Sequence, residues 1–275
     1  TKPPYTISSI EFDLCKGLEV IKEFPLMNEL VNMDVETFIK KYRIRYLHEN
    51  FCRYVFVSTC FGETEDSNAL FYLGTLLPIV IPTYVIDYRG AIDRLTAKTK
   101  DRIHLDEITK ITKTPDGYIS VSSSGKKILS TNLVLAAPYH NASKLLDVPK
   151  PQLELATPAT VIYARGERKA AFKNKELVLC DPVNCGIGLV WKQDSGDDLI
   201  FALHKDPDLD FLYKDYTITG RADWKTAVVL SGKNWFPLEI EEGLFLPGDY
   251  NLCGVEDSMV TGICTGNMIV ERSQK

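Results

Sequence analysis

The chain has 275 residues, 45% apolar and 25% charged, with a net charge of −5. That balance belongs to a globular protein with core enough for one large domain or two modest ones. No basic block is present to neutralise phosphates, which argues against a nucleic-acid partner. No apolar run reaches the ~20 residues that a membrane-spanning helix needs.

Residues 5–12 (YTISSIEF) alternate loosely and predict a strand, and from 18 to 60 the period turns helical. Asp34 is placed to cap a helix whose Val35, Phe38, Ile39 and Tyr42 share one face. Ser67 or Asn68 caps the next helix, ALFYLGTLLPIVI, which Pro78 and Pro82 kink or end. Residues 73–86 are the most apolar stretch. They read as a buried core helix followed by a strand, as the lining of an apolar substrate tunnel, or as a segment that dips into a bilayer surface as a peripheral membrane contact. Residues 90–100 form a short amphipathic helix.

A β series follows. RIHLDEITKIT, YISVSS and ILSTNLVLAAP read as strands, joined by turns at TPDG and SGKK. LVLAAP is an unbroken apolar run, as expected of a strand buried on both faces. After Pro149 and Pro151, ATVIYARGE, ELVLCDPV, GIGLVWKQ and DLIFALHK predict antiparallel strands. A polar helix around DPDLDFLYKDY and a strand around KTAVVLSG come next. GLFLPGDY is again a buried strand, and DSMVTGICTGNMIVERSQ a helix rich in small residues. Helices, then a hairpin feeding a buried strand, then a β-rich section, then strand–loop–helix: this order suggests two interleaved domains.

Seven cysteines stand at 15, 52, 60, 180, 185, 253 and 264, an odd count without a CxxC pair. They are expected to be reduced, mostly buried thiols of a cytoplasmic protein. The four histidines are scattered, so no metal site is expected. Asp197-Asp198 and Glu241-Glu242 are taken as solvated turns rather than catalytic pairs.

The stretch LFLPGDY ends a strand in a sharp turn. Gly248 permits the bend and Asp249 offers an acceptor for hydroxyls or backbone N–H groups. The helix that follows, starting near Asp257 or Ser258, presents unpaired N–H groups and a partial positive charge. A ligand with hydroxyls at one end and a carbonyl-bearing ring at the other suits that pair, and a flavin has both. Taken alone, the same residues read equally as a strand end with an Asp cap, with Gly262 and Gly266 serving helix–sheet packing.

This tail resembles the C-terminal flavin motif of the superfamily of FAD-dependent amine oxidases, protoporphyrinogen oxidases and phytoene desaturases. Glu256, Thr261 and Gly262 fall in the motif's register, while Asp257 and Ser258 replace its Gly-Ala. A second block, from YVIDYRGAIDRL to LVLAAP, resembles the family's Gly-Gly helix, adenine strand, hairpin and Ala-x-Pro strand. Gly90 is present and Arg89 replaces the other glycine. The resemblance implies an α/β fold in which a Rossmann-like FAD/NAD(P)-binding domain, lacking its first βαβ unit, is interleaved with an α+β substrate domain. The first would be residues 84–146 and 239–275, with 1–10 an optional part; the second, 11–83 and 147–238. It implies FAD contacts at Ile108, Gly248, Asp249, Asp257, Ser258 and Met259, and leaves the catalytic residue unassigned.

The family's GxGxxG, which admits the pyrophosphate to a helix start, is absent. CGIGLVW, from Cys185 to Trp191, enters a strand and is rejected as a phosphate loop. With Thr1 in place of a Met, the expectations are a βαβ unit lost by truncation, processing or disorder, a separate chain supplying it, or a relative that has lost FAD. The function implied is hydride transfer to flavin from an amine or an apolar small-molecule substrate of isoprenoid or tetrapyrrole-precursor type. The alternative is a flavin-free relative or partner subunit that keeps the fold as a binding scaffold. Tyr163, Trp191, Phe201 and Trp224 are candidates for one wall of the substrate pocket.

Overall fold

In the computed structural model, which describes residues 23–77, 87–148, 156–203, 206–229, 237–248 and 255–274, Asp34 begins a helix as its position predicts. Its Oδ1 accepts the Thr37 N–H at 2.7 Å, satisfying one of the donors left open at a helix start. The first helices are α1 (Pro25–Val31), α2 (Val35–Tyr42) and α3 (Arg45–Leu47). A π-helical turn (His48–Cys52) leads into α4 (Arg53–Cys60). A further helix, α5 (Ala69–Leu76), is capped by Asn68, whose Oδ1 accepts the Phe71 N–H at 2.8 Å. Val35, Phe38 and Ile39 pack with Phe56, Phe71 and Tyr72 into one buried cluster. Tyr42, expected on that face, is exposed instead. It is the last residue of α2, and the left-handed Arg43 turns the chain away; its ring rests on Phe38 at 4.7 Å. Helix α5 stops before Pro78. Residues 78–86, on which the tunnel and bilayer readings depend, lie outside the described residues, as do the expected strand at 5–12 and Asp249.

The chain forms two compact units: Thr1–Leu77, Pro151–Trp235 and Asp249–Asp257 make the first; Pro78–Lys150, Phe236–Gly248 and Ser258–Lys275 make the second. The second begins with α6 (Tyr88–Thr96), capped by Asp87, whose Oδ1 accepts the Gly90 N–H at 3.0 Å. Strands β1 (Ile108–Thr114), β2 (Gly117–Ser122) and β3 (Lys127–Ser130) form an antiparallel sheet in that order. The turn between β1 and β2 requires Gly117: its φ is +130°, and an added Cβ would stand 2.2 Å from the Ser130 carbonyl oxygen.

The run ILSTNLVLAAP is not one strand buried on both faces. It breaks at Thr131-Asn132. The first half is β3; the second is β4 (Leu133–Val134), which joins a different sheet. Val134 is exposed, and β4 is the last strand of that sheet among the described residues. Helix α7 (Tyr139–Leu145) follows.

Back in the first unit, β5 (Ala156–Arg168), β6 (Leu177–Leu179), the one-turn helix α8 (Pro182–Cys185), β7 (Ile187–Lys192), β8 (Asp198–Ala202) and β9 (Tyr213–Val229) follow. The strands form an antiparallel sheet in the order β6-β7-β8-β5-β9. Ile162, Ala164, Val190 and Ile200 point to its core face, as alternation requires. CGIGLVW does enter a strand, β7. The polar helix expected at DPDLDFLYKDY shrinks to a 3-10 turn, Leu209–Phe211. From Tyr213 the chain pairs with β5 along its whole length, and those ladder bonds outweigh a weak local helical pattern.

The second unit is completed by β10 (Glu239–Glu241), β11 (Leu244–Phe245) and helix α9 (Val255–Ser273), the last counted with this unit from Ser258 onward. The sheet order is β10-β11-β4, and β11 runs parallel to β4, with Leu244 opposite Leu133 and Phe245 opposite Val134.

Three expectations about side chains are corrected. Asp198 is not a solvated turn residue: it is buried and paired with Arg168, while Asp197 binds Arg165 at 2.9 Å. Glu241 is also engaged, with Lys113 at 2.6 Å and Tyr118 at 3.2 Å. Cys52, Cys60, Cys180 and Cys185 are free and buried as expected. Cys264 is not a free thiol; it is disulfide-bonded.

Candidate functional site

In an open α/β sheet, ligands bind beyond the carboxyl ends of the parallel strands. Here that edge is where β4 and β11 finish. Leu244, Phe245 and Leu246 are buried. The Leu135 N–H donates to the Phe245 carbonyl and the Leu246 N–H to the Leu238 carbonyl, at 2.8 and 2.9 Å. The ladder therefore holds the chain straight up to Pro247, and the bend falls at Gly248.

Thr261, on the second turn of α9, pins that bend. Its Oγ1 accepts the Gly248 N–H at 3.1 Å and lies 3.3 Å from the carbonyl oxygens of both Gly248 and Ser258, to either of which it donates. So Gly248 and Ser258 are brought together through one hydroxyl. Thr261 was in register with the motif in the sequence, but nothing there gave it this bridging role. Asp257 lies in the first turn of α9, which begins at Val255 rather than at 257 or 258. Ser258 and Met259 stand on its exposed side. Ile108 opens β1 in the hairpin sheet of the same unit, opposite Ser122.

Gly262 and Gly266 do not serve helix–sheet packing. Both are exposed, and a Cβ added at either would meet nothing within 4 Å. They sit beside Met259, Ile263 and Val270, which are 56%, 62% and 55% exposed. The opposite side of α9 buries Thr261, Cys264 and Thr265. The Thr265 hydroxyl is buried with no hydrogen-bond partner, an uncommon cost for a native interior. No local sequence signal marked it.

Tested against a flavin, these residues fit its ring end: a long helix begins beside a strand end, with Ser258 and Met259 open on its first turns. The Gly248 N–H is already taken by Thr261, so the turn does not offer that donor to a ligand. A cleft of about 480 Å³ in this unit is lined by Lys113, Tyr118, Asn132, Gly243 and Arg272, among others. It lies at the other end of β11 and holds none of the predicted contacts.

In the first unit the five-stranded sheet carries an apolar row. Leu177, Trp191, Leu199, Tyr163 and Gly220 are successive cross-strand partners from β6 to β9. Phe201 falls in the next row, opposite Val161 and Leu189, with the Phe61 ring at 6.0 Å. Tyr163 and Trp191 are 41% and 45% exposed. The sheet register thus puts Tyr163, Trp191 and Phe201 on the face opposite the core; Trp224, opposite Ala159, continues it on β9. Among the described residues no group of three His, Cys, Asp or Glu side chains is arranged to hold a metal, and no helix is long and apolar enough to cross a membrane.

No protein-family model matches the chain, and no curated protein matches it by sequence. Solved structures do match. A CLA-producing fatty acid isomerase from P. acnes superposes with a TM-score of 0.65 at 13% identity, over 88% of this chain and 66% of its own. An oxidoreductase from Methanosarcina mazei gives 0.59 at 13% identity, over 94% and 75%. A protein taken to be a protoporphyrinogen oxidase, from an Exiguobacterium species, gives 0.54 at 14% identity, over 81% and 64%. The chain therefore has the fold of these proteins. It spans just under two thirds of the isomerase and of the Exiguobacterium protein, 66% and 64% of their lengths.

Proposed function

We propose that this protein is a flavin-dependent oxidoreductase that takes a hydride from an apolar small molecule. The observation that carries the reading is the junction at Gly248, Thr261 and Ser258: a helix start held against the carboxyl end of a parallel strand pair, in a fold shared with oxidoreductases. FAD, when bound, supplies the hydride acceptor. Ser258 and Met259 on α9 would hold its ring end, and the backbone of Ile108 would meet the adenine; Asp249, which the resemblance assigns to its hydroxyl chain, lies outside the described residues. The second unit is the cofactor domain and the first the substrate domain. The row of Leu177, Trp191, Leu199 and Tyr163 gives an apolar substrate a surface to lie on and excludes water from it. A fatty acid isomerase among the structural neighbours supports an apolar substrate over an amine.

Nothing in residues 1–275 supplies a glycine loop for the pyrophosphate. In this reading a βαβ unit supplies it. The outer edge of β4, unpaired among the described residues, and the exposed apolar stripe of α9 support a surface for such a unit.

The test is flavin content. The purified protein is expected to show flavin absorbance, to release FAD on denaturation, and to quench the fluorescence of added FAD. A Ser258→Arg substitution on the exposed turn should abolish the quenching without changing the far-ultraviolet circular dichroism. Colourless protein that leaves FAD fluorescence unchanged would overturn the assignment in favour of a flavin-free scaffold.

A further inference from the structure

The apolar row of Leu177, Trp191, Leu199 and Tyr163 has two different flanks. On one side a second apolar row runs beside it, from Leu179 through Leu189, Phe201 and Val161 to Ala222. On the other side stands a cation. Arg165 follows Tyr163 by two residues on β5 and so shares its face, while Ala164 between them is buried in the core. Across from Arg165, in the turn that joins β7 to β8, is Asp197.

That turn holds the guanidinium by one side only. The Arg165 Nε donates to Asp197 Oδ1 at 2.9 Å, and Nη2 donates to the Ser195 carbonyl at 3.1 Å. Asp197 is fixed in turn: its other oxygen accepts the Ser195 hydroxyl at 3.1 Å, and its carbonyl accepts the Gln193 N–H at 2.8 Å. A guanidinium carries five N–H donors. Its end, made by Nη1 and the second N–H of Nη2, has no partner among the described residues, and the side chain is 59% exposed. Arg168, three residues on, is the contrast: it is buried, and all three of its nitrogens are engaged.

We propose that the substrate is a long-chain carboxylic acid whose carboxylate Arg165 receives, with the alkyl chain laid along the apolar row. This rests on the row being the substrate surface, and needs nothing of the flavin. The free end of the guanidinium matches a carboxylate with two parallel N–H bonds. Because the turn already fixes the guanidinium, little side-chain freedom is lost on binding. From Tyr163 on β5 to Leu177 on β6 the row crosses β8 and β7, about 14 Å of apolar surface at the usual strand spacing. Asp197 offsets part of the attraction, so the fork rather than net charge sets the preference for an acid.

The test compares cis-parinaric acid with its methyl ester, probes whose fluorescence rises on leaving water, each titrated into the full chain. The acid is expected to bind about tenfold more tightly than the ester, the worth of one charge-assisted pair. Arg165→Gln should bring the acid down to the affinity of the ester and leave the ester unchanged. Arg165→Lys should keep only part of the preference, since an ammonium cannot make the fork. Trp191→Ala should weaken acid and ester alike. The proposal fails if the unaltered protein binds both probes equally or neither. It fails too if Arg165→Gln protein keeps the preference, or loses the ester as well as the acid. Protein that holds no flavin yet prefers the acid would remove the oxidoreductase reading and leave this one standing.

Discussion

Arg168 and Asp198 meet in a two-pronged ion pair inside the first unit, with both side chains only 7% exposed. The Arg168 Nε donates to one carboxylate oxygen at 2.8 Å and an amino group donates to the other. The remaining guanidinium amino group donates to the carbonyls of Phe172 and Lys175, and Tyr213 donates its hydroxyl to Asp198. The pair joins β5 to β8 and fixes the 169–176 loop beneath the sheet. Both charges are fully used, so removal of one strands the other.

Asp198→Ala is therefore expected to destabilise the protein by about 3–5 kcal/mol, the usual cost of an orphaned buried charge. Tyr213→Phe, which removes one donor to a charged acceptor, should cost about 1.5–3 kcal/mol. Arg168→Lys should not rescue, because an ammonium cannot make the fork. Urea midpoints by circular dichroism measure all three; an Asp198→Ala midpoint equal to wild type would contradict the pairing.

His48 is 6% exposed and its Nδ1 lies 3.0 Å from the Tyr72 hydroxyl. Burial holds the imidazole below its ordinary pKa, with nearby Arg45 and Arg53 adding to the effect and Glu65 opposing it. The unfolded chain then takes up a proton first as pH falls. Stability should be level above about pH 6.5 and drop below it, by up to about 1.4 kcal/mol per pH unit, until the folded-state pKa is passed. Urea midpoints at pH 7.5 and 5.5 should differ in wild type by more than in His48→Gln.

Asp106 is gripped by serines of the β2–β3 turn: the Ser123 hydroxyl donates at 2.7 Å, Ser124 donates to the other oxygen, and Ser122 contacts Ser124 at 2.9 Å. Hydrogen bonds from Ser122, Ser124 and Ser123 hold the carboxyl well below the usual carboxylate range. Any stability it confers is present above about pH 3.9 and is lost as pH falls through the folded pKa. Carboxyl carbon shifts followed by NMR should show Asp106 titrating below the usual aspartate range. Ser124→Ala should move it upward.

Gly117→Ala forces a side chain into a backbone region that excludes it and against the Ser130 carbonyl. The expected loss is about 1–3 kcal/mol. Hydrogen exchange should place the damage in β1–β3 and leave β5–β9 protected.

Tyr163→Ala and Trp191→Ala remove side chains that are nearly half exposed. Each should shift the urea midpoint by less than the equivalent of ~1 kcal/mol. If the apolar row receives substrate, both should weaken binding of a fatty-acid probe several-fold. Unchanged probe affinity would take the row out of the substrate site.

The sequence made local structure legible wherever short-range chemistry dominates. Asp34 and Asn68 cap their helices with the side-chain-to-N–H bonds their positions predict. TPDG turns at Gly117, and GIGLVWKQ is a strand. The failures fall where a distant partner decides. ILSTNLVLAAP splits because β3 finds β2 and β4 finds β11, more than a hundred residues away. DPDLDFLYKDY gives up its helix to β5.

The site divides in the same way. A strand ending in Gly-Asp before a small-residue helix could be read directly, since bend and helix start are local properties. That Thr261 reaches back 13 residues to Gly248, and that Asp198 answers Arg168, 30 residues before it, rests on tertiary contacts that no local periodicity encodes. Dihedral preference and periodicity act over a few residues and are written in the order of the amino acids. Burial and pairing act through space, and the folded chain alone determines which groups they bring together.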